Sequence, residues 1–144
     1  MCLAKLLKGY DGWSTLSLRL VIAAVFLFHG SQKLFGAFGG GGIAGTAGFF
    51  GGVGIPLPLV AAWLVGSVEF FGGLAALLGV FTRYAGALLS AVMAVAILTV
   101  HLKNGFSGGG GFEFPLMVLA GTLSLILSGP GKASLEKTLW KKEL

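Results

Sequence analysis

Residues 57–81 read LPLVAAWLVGSVEFFGGLAALLGVF, an apolar run broken near its middle by one acid, Glu69. At a helical rise of about 1.5 Å per residue, the run is long enough to cross a hydrocarbon core of about 30 Å. A carboxylate at that depth costs about 2.5–3.5 kcal/mol on insertion scales, so Glu69 must face a polar partner, water or other helices and not lipid. Gly66, Gly73 and Ala76 fall on roughly the same arc as Glu69 at helical spacing. They make a face against which a second helix backbone can come close. What stands opposite this acid decides how the other polar residues are read.

Of the 144 residues, 56% are hydrophobic and 10% charged, with a mean hydropathy of +0.94. A soluble domain of this size could not keep so much apolar surface out of water, so the composition predicts a single integral membrane domain over residues 1–144. The net charge of +5 and pI near 9.7 would suit nucleic acid, but no basic patch is interleaved with aromatics. The lysines sit beside apolar spans, where the lipid bilayer and its anionic headgroups are the natural partner. Cys2 is the single cysteine, which excludes an intramolecular disulfide and a Cys-x-x-Cys redox pair.

Outward from Glu69, the spacing predicts an all-α membrane protein, a bundle of four transmembrane helices at about 15–35, 57–81, 83–102 and 113–129. Met1 to Lys8 alternates apolar residues with lysines and reads as an interfacial segment anchored by Trp13. Ser14 or Thr15 is placed to cap the first span. A cleavable signal peptide is the competing reading of this start, but Arg19, His29 and Lys33 interrupt its apolar core too heavily. Gly36 to Pro56 is glycine-dense yet carries Ile43, Phe49, Phe50 and Ile55, which predicts a short helix or re-entrant turn packed on the bundle. Gly86, Ser90, Ala94 and His101 share a stripe of the third span, and Glu113, Met117, Ala120 and Ser124 one side of the fourth, which Gly129-Pro130-Gly131 stops. Ser134 to Lys142 reads as a short cytoplasmic amphipathic helix on the membrane surface, with Leu135, Leu139 and Trp140 opposite Lys137, Lys141 and Lys142.

With four spans, both termini and the Arg83 turn share one side. That side collects Lys5, Lys8, Arg19, Arg83, Lys132, Lys137, Lys141 and Lys142 against Lys33 and Lys103 on the other. The excess places the termini in the cytoplasm of a cell inner membrane. Arg19 and Arg83 then lie at the inner boundary, where they are expected to snorkel to lipid phosphates. In this orientation His29, Lys33, Glu69, His101 and Glu113 all fall in the outer half of the bundle. Either they neutralise one another in a network that fixes helix register, or they line a polar pocket in which neutral histidine and a carboxylate exchange protons with a bound quinol or similar small molecule. The residue types suit a metal, but His29, His101, Glu69 and Glu113 lack tight ligand spacing such as Glu-x-x-His. Haem on His29 and His101 would rest on two histidines alone; both groups are disfavoured, and no cofactor is required by the residues.

The ordered motifs Arg19…Phe28-His29-Gly30…Lys33-Leu34-Phe35-Gly36, Gly54-Ile55-Pro56, Glu69…Gly72-Gly73, Gly79…Thr82-Arg83, His101…Gly105-Phe106, Glu113 and Gly129-Pro130-Gly131 cover nearly the whole chain. Together they resemble the DoxX family of small four-helix membrane proteins, apart from unusually glycine-rich outer loops. The resemblance implies kinship with a membrane subunit linked to a terminal quinol oxidase, with the quinone-reducing subunit of thiosulfate:quinone oxidoreductase, and with oxidative-stress complexes. The reaction itself has to come from the site. The expected function is a multi-pass membrane subunit that binds quinone or a similar small molecule in the outer half of the bundle and supports a redox protein partner. The alternatives are a scaffold without chemistry and a small-solute carrier, which would need a homo-oligomer to enclose a path.

Overall fold

The computed structural model describes residues 12–140. The expectations for Met1 to Lys8, Lys141 and Lys142 lie outside this range. Among the described residues all regular structure is helical. Helix α1 covers Ser14–Phe35, α2 Gly42–Gly52, α3 Pro58–Leu78, α4 Thr82–Ala96, α5 Glu113–Ser128 and α6 Leu135–Trp140. Helix α4 continues through a π-helical turn at Ile97–His101 and a 3-10 turn at Leu102–Asn104. The helices α1, α3 and extended α4 are long and apolar enough to cross a membrane, whereas α5, with 16 residues, is a shorter apolar helix. At about 1.5 Å per residue α5 reaches about 24 Å, less than a full hydrocarbon core.

Helix boundaries follow local chemistry. Helix α1 begins at Ser14 without a side-chain cap, Trp13 standing in the N-cap position. The predicted end of the second span at Phe81 moves back to Leu78, because Gly79 takes a left-handed conformation (φ 67°) and caps the helix. Phe81 is itself left-handed (φ 49°), so α3 and α4 are joined by a tight reversal. The glycine-dense segment forms α2, as expected, and lays it on α1 and α3 with Phe50 buried.

The bundle is a ring in which α1 packs most extensively on α3, α3 on α4, α4 on α5, and α5 closes back on α1. Its core gathers Ile22, Ala23 and Phe26 of α1 with Ala76, Leu89, Val118 and Leu125. Small residues set the crossings. A Cβ on Gly86 would lie 2.9 Å from the Thr122 carbonyl oxygen, and at this α4–α5 contact the Ser90 hydroxyl donates to Thr122 Oγ1 at 2.8 Å.

Two expectations at the end of the bundle that carries the described termini are corrected. Arg19 does not snorkel: it is 1% exposed, and its guanidinium donates to the carbonyls of Ala76 (2.7 Å), Leu77 (2.8 Å), Pro130 (2.7 Å) and Ala133 (2.5 Å). The last carbonyls of a helix lack intrahelical donors, and a planar fork of five N–H groups satisfies them where lipid cannot. Arg83 does the same for α5, donating to the carbonyls of Ile126 and Leu127. The C-terminal helix also docks by its polar side. Glu136 is fully buried and Ser134 nearly so, while Leu135 and Leu139 are exposed; the Glu136 N–H bonds to Gly79 O at 3.1 Å and its Oε2 accepts from the Thr82 N–H at 3.4 Å.

Candidate functional site

Gly30 is the point where α1 and α3 touch, since a Cβ there would lie 2.5 Å from the Phe70 backbone nitrogen. Gly73 and Gly66 extend the contact, with hypothetical Cβ atoms 3.0 Å from Leu27 N and 2.9 Å from Leu34 Cδ2. Lys33 stands one turn along α1 from Gly30, and Glu69 precedes Phe70 on α3. The close approach therefore brings Lys33 Nζ to 2.6 Å from Glu69 Oε2. Glu69 is 3% exposed and Lys33 24%, so the acid is sunk into the bundle and the ammonium reaches it from a more open position. Lys33 is thus the group opposite Glu69; Lys103 is exposed at the end of α4.

In front of this ion pair lies a cavity of about 600 Å³, inside the range of roughly 300–1,000 Å³ common for small-molecule sites. His29, Lys33, Glu69 and His101 line it; the rest of the wall is apolar but for Thr99, drawn from α1 to α5 and including Phe49, Phe50 and Ile55. Polar groups thus converge in an otherwise greasy chamber.

The two imidazoles do not join the ion pair, and each is held by its own neighbour. His101 Nδ1 lies 2.8 Å from the Gly110 carbonyl oxygen. A carbonyl only accepts, so Nδ1 is the donor of this bond. His29 Nδ1 lies 3.2 Å from Gln32 Oε1, whose amide is oriented by its Nε2 donating to Phe38 O at 3.4 Å. The same reasoning makes His29 Nδ1 the donor to Gln32. The π-helical turn, closed by the Leu102 N–H on Ile97 O, carries His101 to the cavity beyond the regular part of α4; such turns break the helical register, often at functional positions.

Glu113 departs from the expected convergence. It is exposed on the face of α5 that also carries Met117, Ala120 and Ser124, and that whole face points away from the bundle; the inward face is Pro115, Val118, Thr122 and Leu125. Its neighbours Phe114 and Pro115 line the cavity instead, and its charge is suited to the first turn of a helix. Among the described residues no three His, Cys, Asp or Glu side chains gather within reach of one ion. Sequence reasoning overlooked Gln32, whose signal was its place three residues after His29 on one helix face. It also overlooked the cavity wall supplied by α2, which glycine density concealed.

The matches to known proteins agree with this architecture. The family model described as DoxX matches residues 14–102, more than half of the chain. A protein of Bacillus subtilis (strain 168) named "Putative oxidoreductase CatD" is 33% identical over 127 residues, 88% of this chain and 87% of that protein. An uncharacterised protein of Haemophilus influenzae is 34% identical over 140 residues, 94% of this chain and 98% of its own length. An uncharacterised membrane protein of Mycobacterium tuberculosis is 35% identical over 149 residues, 96% of this chain and 88% of its own. No solved structure matches. With α1 to α4 inside the matched stretch and relatives similar over nearly their whole length, the chain belongs to the DoxX family.

Proposed function

We propose that this protein is a multi-pass membrane subunit that binds a quinone-type molecule in the cavity before Lys33 and Glu69 and supports a redox protein partner. The observation that carries this reading is the ion pair at 2.6 Å on the wall of an apolar cavity of about 600 Å³. A pair needed only for helix register would be packed over on all sides; this one faces space in which a flat, apolar ring fits. The Lys33 ammonium has three N–H donors, one of them used by Glu69, and the others suit a quinone carbonyl. With its imidazole neutral, His29 Nε2 suits the hydroxyl of the reduced form. Oxidation of a bound quinol releases two protons and two electrons. Glu69 and His29 are the groups that take protons, and the electrons pass to the partner, because a chain with one cysteine holds no dithiol carrier. The oxidoreductase name carried by the Bacillus subtilis relative is consistent with such a role.

The same proposal sets the termini and the Arg83 turn in the cytoplasm, with the cavity toward the outer face, from the excess of Lys and Arg at that end. The test is extraction of quinone from protein purified out of native membranes. Quinone should accompany the wild type and be lost from Glu69→Gln and His29→Ala while their thermal unfolding in detergent stays cooperative. If Glu69→Leu folds and restores function in cells, the carboxylate has no chemical role, and a scaffold without chemistry becomes the better account.

A further inference from the structure

The cavity wall includes two residues that also face outward. Leu64 of α3 and Val95 of α4 belong to its wall, yet they are 64% and 51% exposed, more than a closed chamber would leave them. Both stand on the seam between α3 and α4. These helices are tied together at the opposite end by the reversal at Gly79 to Phe81.

A second hollow of about 320 Å³ follows on the same seam, between Ser67, Val68, Phe71 and Gly72 of α3 and Tyr84 and Leu88 of α4. Val68 is one turn from Leu64 and Val65, and Leu88 one turn from Ala91 and Val92, so the second hollow takes over where the first ends. Its floor is shallow at Gly72, where an added Cβ would meet the Leu89 side chain at 3.0 Å. The histidines, Lys33 and Glu69 are confined to the first hollow, and apart from Ser67 and Tyr84 the second is lined by hydrocarbon. A charged, hydrogen-bonding end continued by an apolar channel along the membrane normal is complementary to an amphiphile that lies parallel to the lipid chains.

Resting on the quinone reading above, we infer that the ligand carries a long hydrocarbon tail. It enters sideways from the bilayer between Leu64 and Val95, and its tail runs down the α3–α4 seam past Val68 to Leu88. The occupant is a lipid-dissolved molecule, and water-soluble ligands of the same head group are poor ones.

The test uses two probes with one head group, 2,3-dimethoxy-5-methylbenzoquinone without a tail and with a decyl tail. They are titrated against the full chain in lipid nanodiscs, with affinities expressed per mole fraction in the bilayer so that partitioning alone gives no difference. The decyl probe should bind the wild type at least tenfold more tightly than the tailless one. Leu64→Trp, at the proposed point of entry, and Leu88→Trp, in the second hollow, should each weaken the decyl probe at least tenfold, and Leu88→Trp, outside the first cavity, should leave the tailless probe unchanged. A decyl probe with a photoreactive tail end should label wild-type protein at Leu88 or Phe71, a readout that needs no variant to fold. Equal binding of the two probes, indifference of the decyl probe to both tryptophans, or labelling confined to residues 105–111 overturns the inference and leaves the quinone reading standing. A wild type that binds neither probe overturns both.

Discussion

Two charges inside the spans, Arg19 and Glu69, are handled in opposite ways. Arg19 lies in solid protein, with four backbone carbonyls around its guanidinium and the Gly-Pro-Gly turn folded over it. A side chain on Gly79 would meet Arg19 Nη2 at 2.5 Å, so this corner has no room for anything else. Glu69 is almost as deeply buried, but its one partner among the described residues is Lys33, and a cavity lies before it. A buried charge whose hydrogen-bonding capacity is filled by the chain's own backbone is architecture. One with a single flexible partner and open space keeps capacity for a ligand.

The comparison breaks first at Arg19. Arg19→Leu strands the carbonyls at the end of α3 and in the turn after α5, with Glu136 still buried beside them. A loss of about 3–5 kcal/mol is expected, read as failure to accumulate folded protein or as a large fall in the unfolding midpoint in detergent. Gly30→Val, next in size, drives a side chain into the Phe70 backbone and should cost about 1–3 kcal/mol by the same measurement. Because it pushes α1 from α3, it should also weaken quinone binding.

Glu69→Gln sharpens the contrast. Lys33, 24% exposed, can turn its ammonium toward the cavity, so the stability loss should be about 1 kcal/mol. Quinone affinity should nevertheless fall at least tenfold, about 1.4 kcal/mol in binding free energy. Equal losses of stability and binding at Arg19 and Glu69 would erase the distinction. The smallest effect is expected at Glu113, outside the cavity on the outward face of α5. Glu113→Gln should change unfolding by less than about 0.5 kcal/mol and leave quinone titration as in the wild type.

Much of the fold was legible because transmembrane order is written in long, local signals. Apolar runs, the glycine and proline stops and the turn at Arg83 place α1, α3, α4 and α5 within a few residues of where they stand. The glycine-dense segment announced a packed helix through its phenylalanines. Arg19 misled because its position along the chain is the same whether it reaches lipid phosphate or folds inward; the carbonyls that hold it come from residues 57 to 114 positions away. Glu113 misled for a related reason. The stripe Glu113, Met117, Ala120, Ser124 is a correct helix face, and nothing local says whether a face turns toward the bundle or the lipid when both are apolar.

Residue chemistry alone determined that the chain is a helical membrane protein, that Glu69 needs a partner within the bundle, and which side chains could supply one. Periodicity and hydropathy act over single helices, so they suffice for those statements. Only the tertiary structure decided that Lys33 and not Lys103 is that partner, that Arg19 is a clamp, and that a cavity opens before the ion pair. Each of these depends on the distance between helices, which the contact of Gly30 with Phe70 fixes across forty residues of chain.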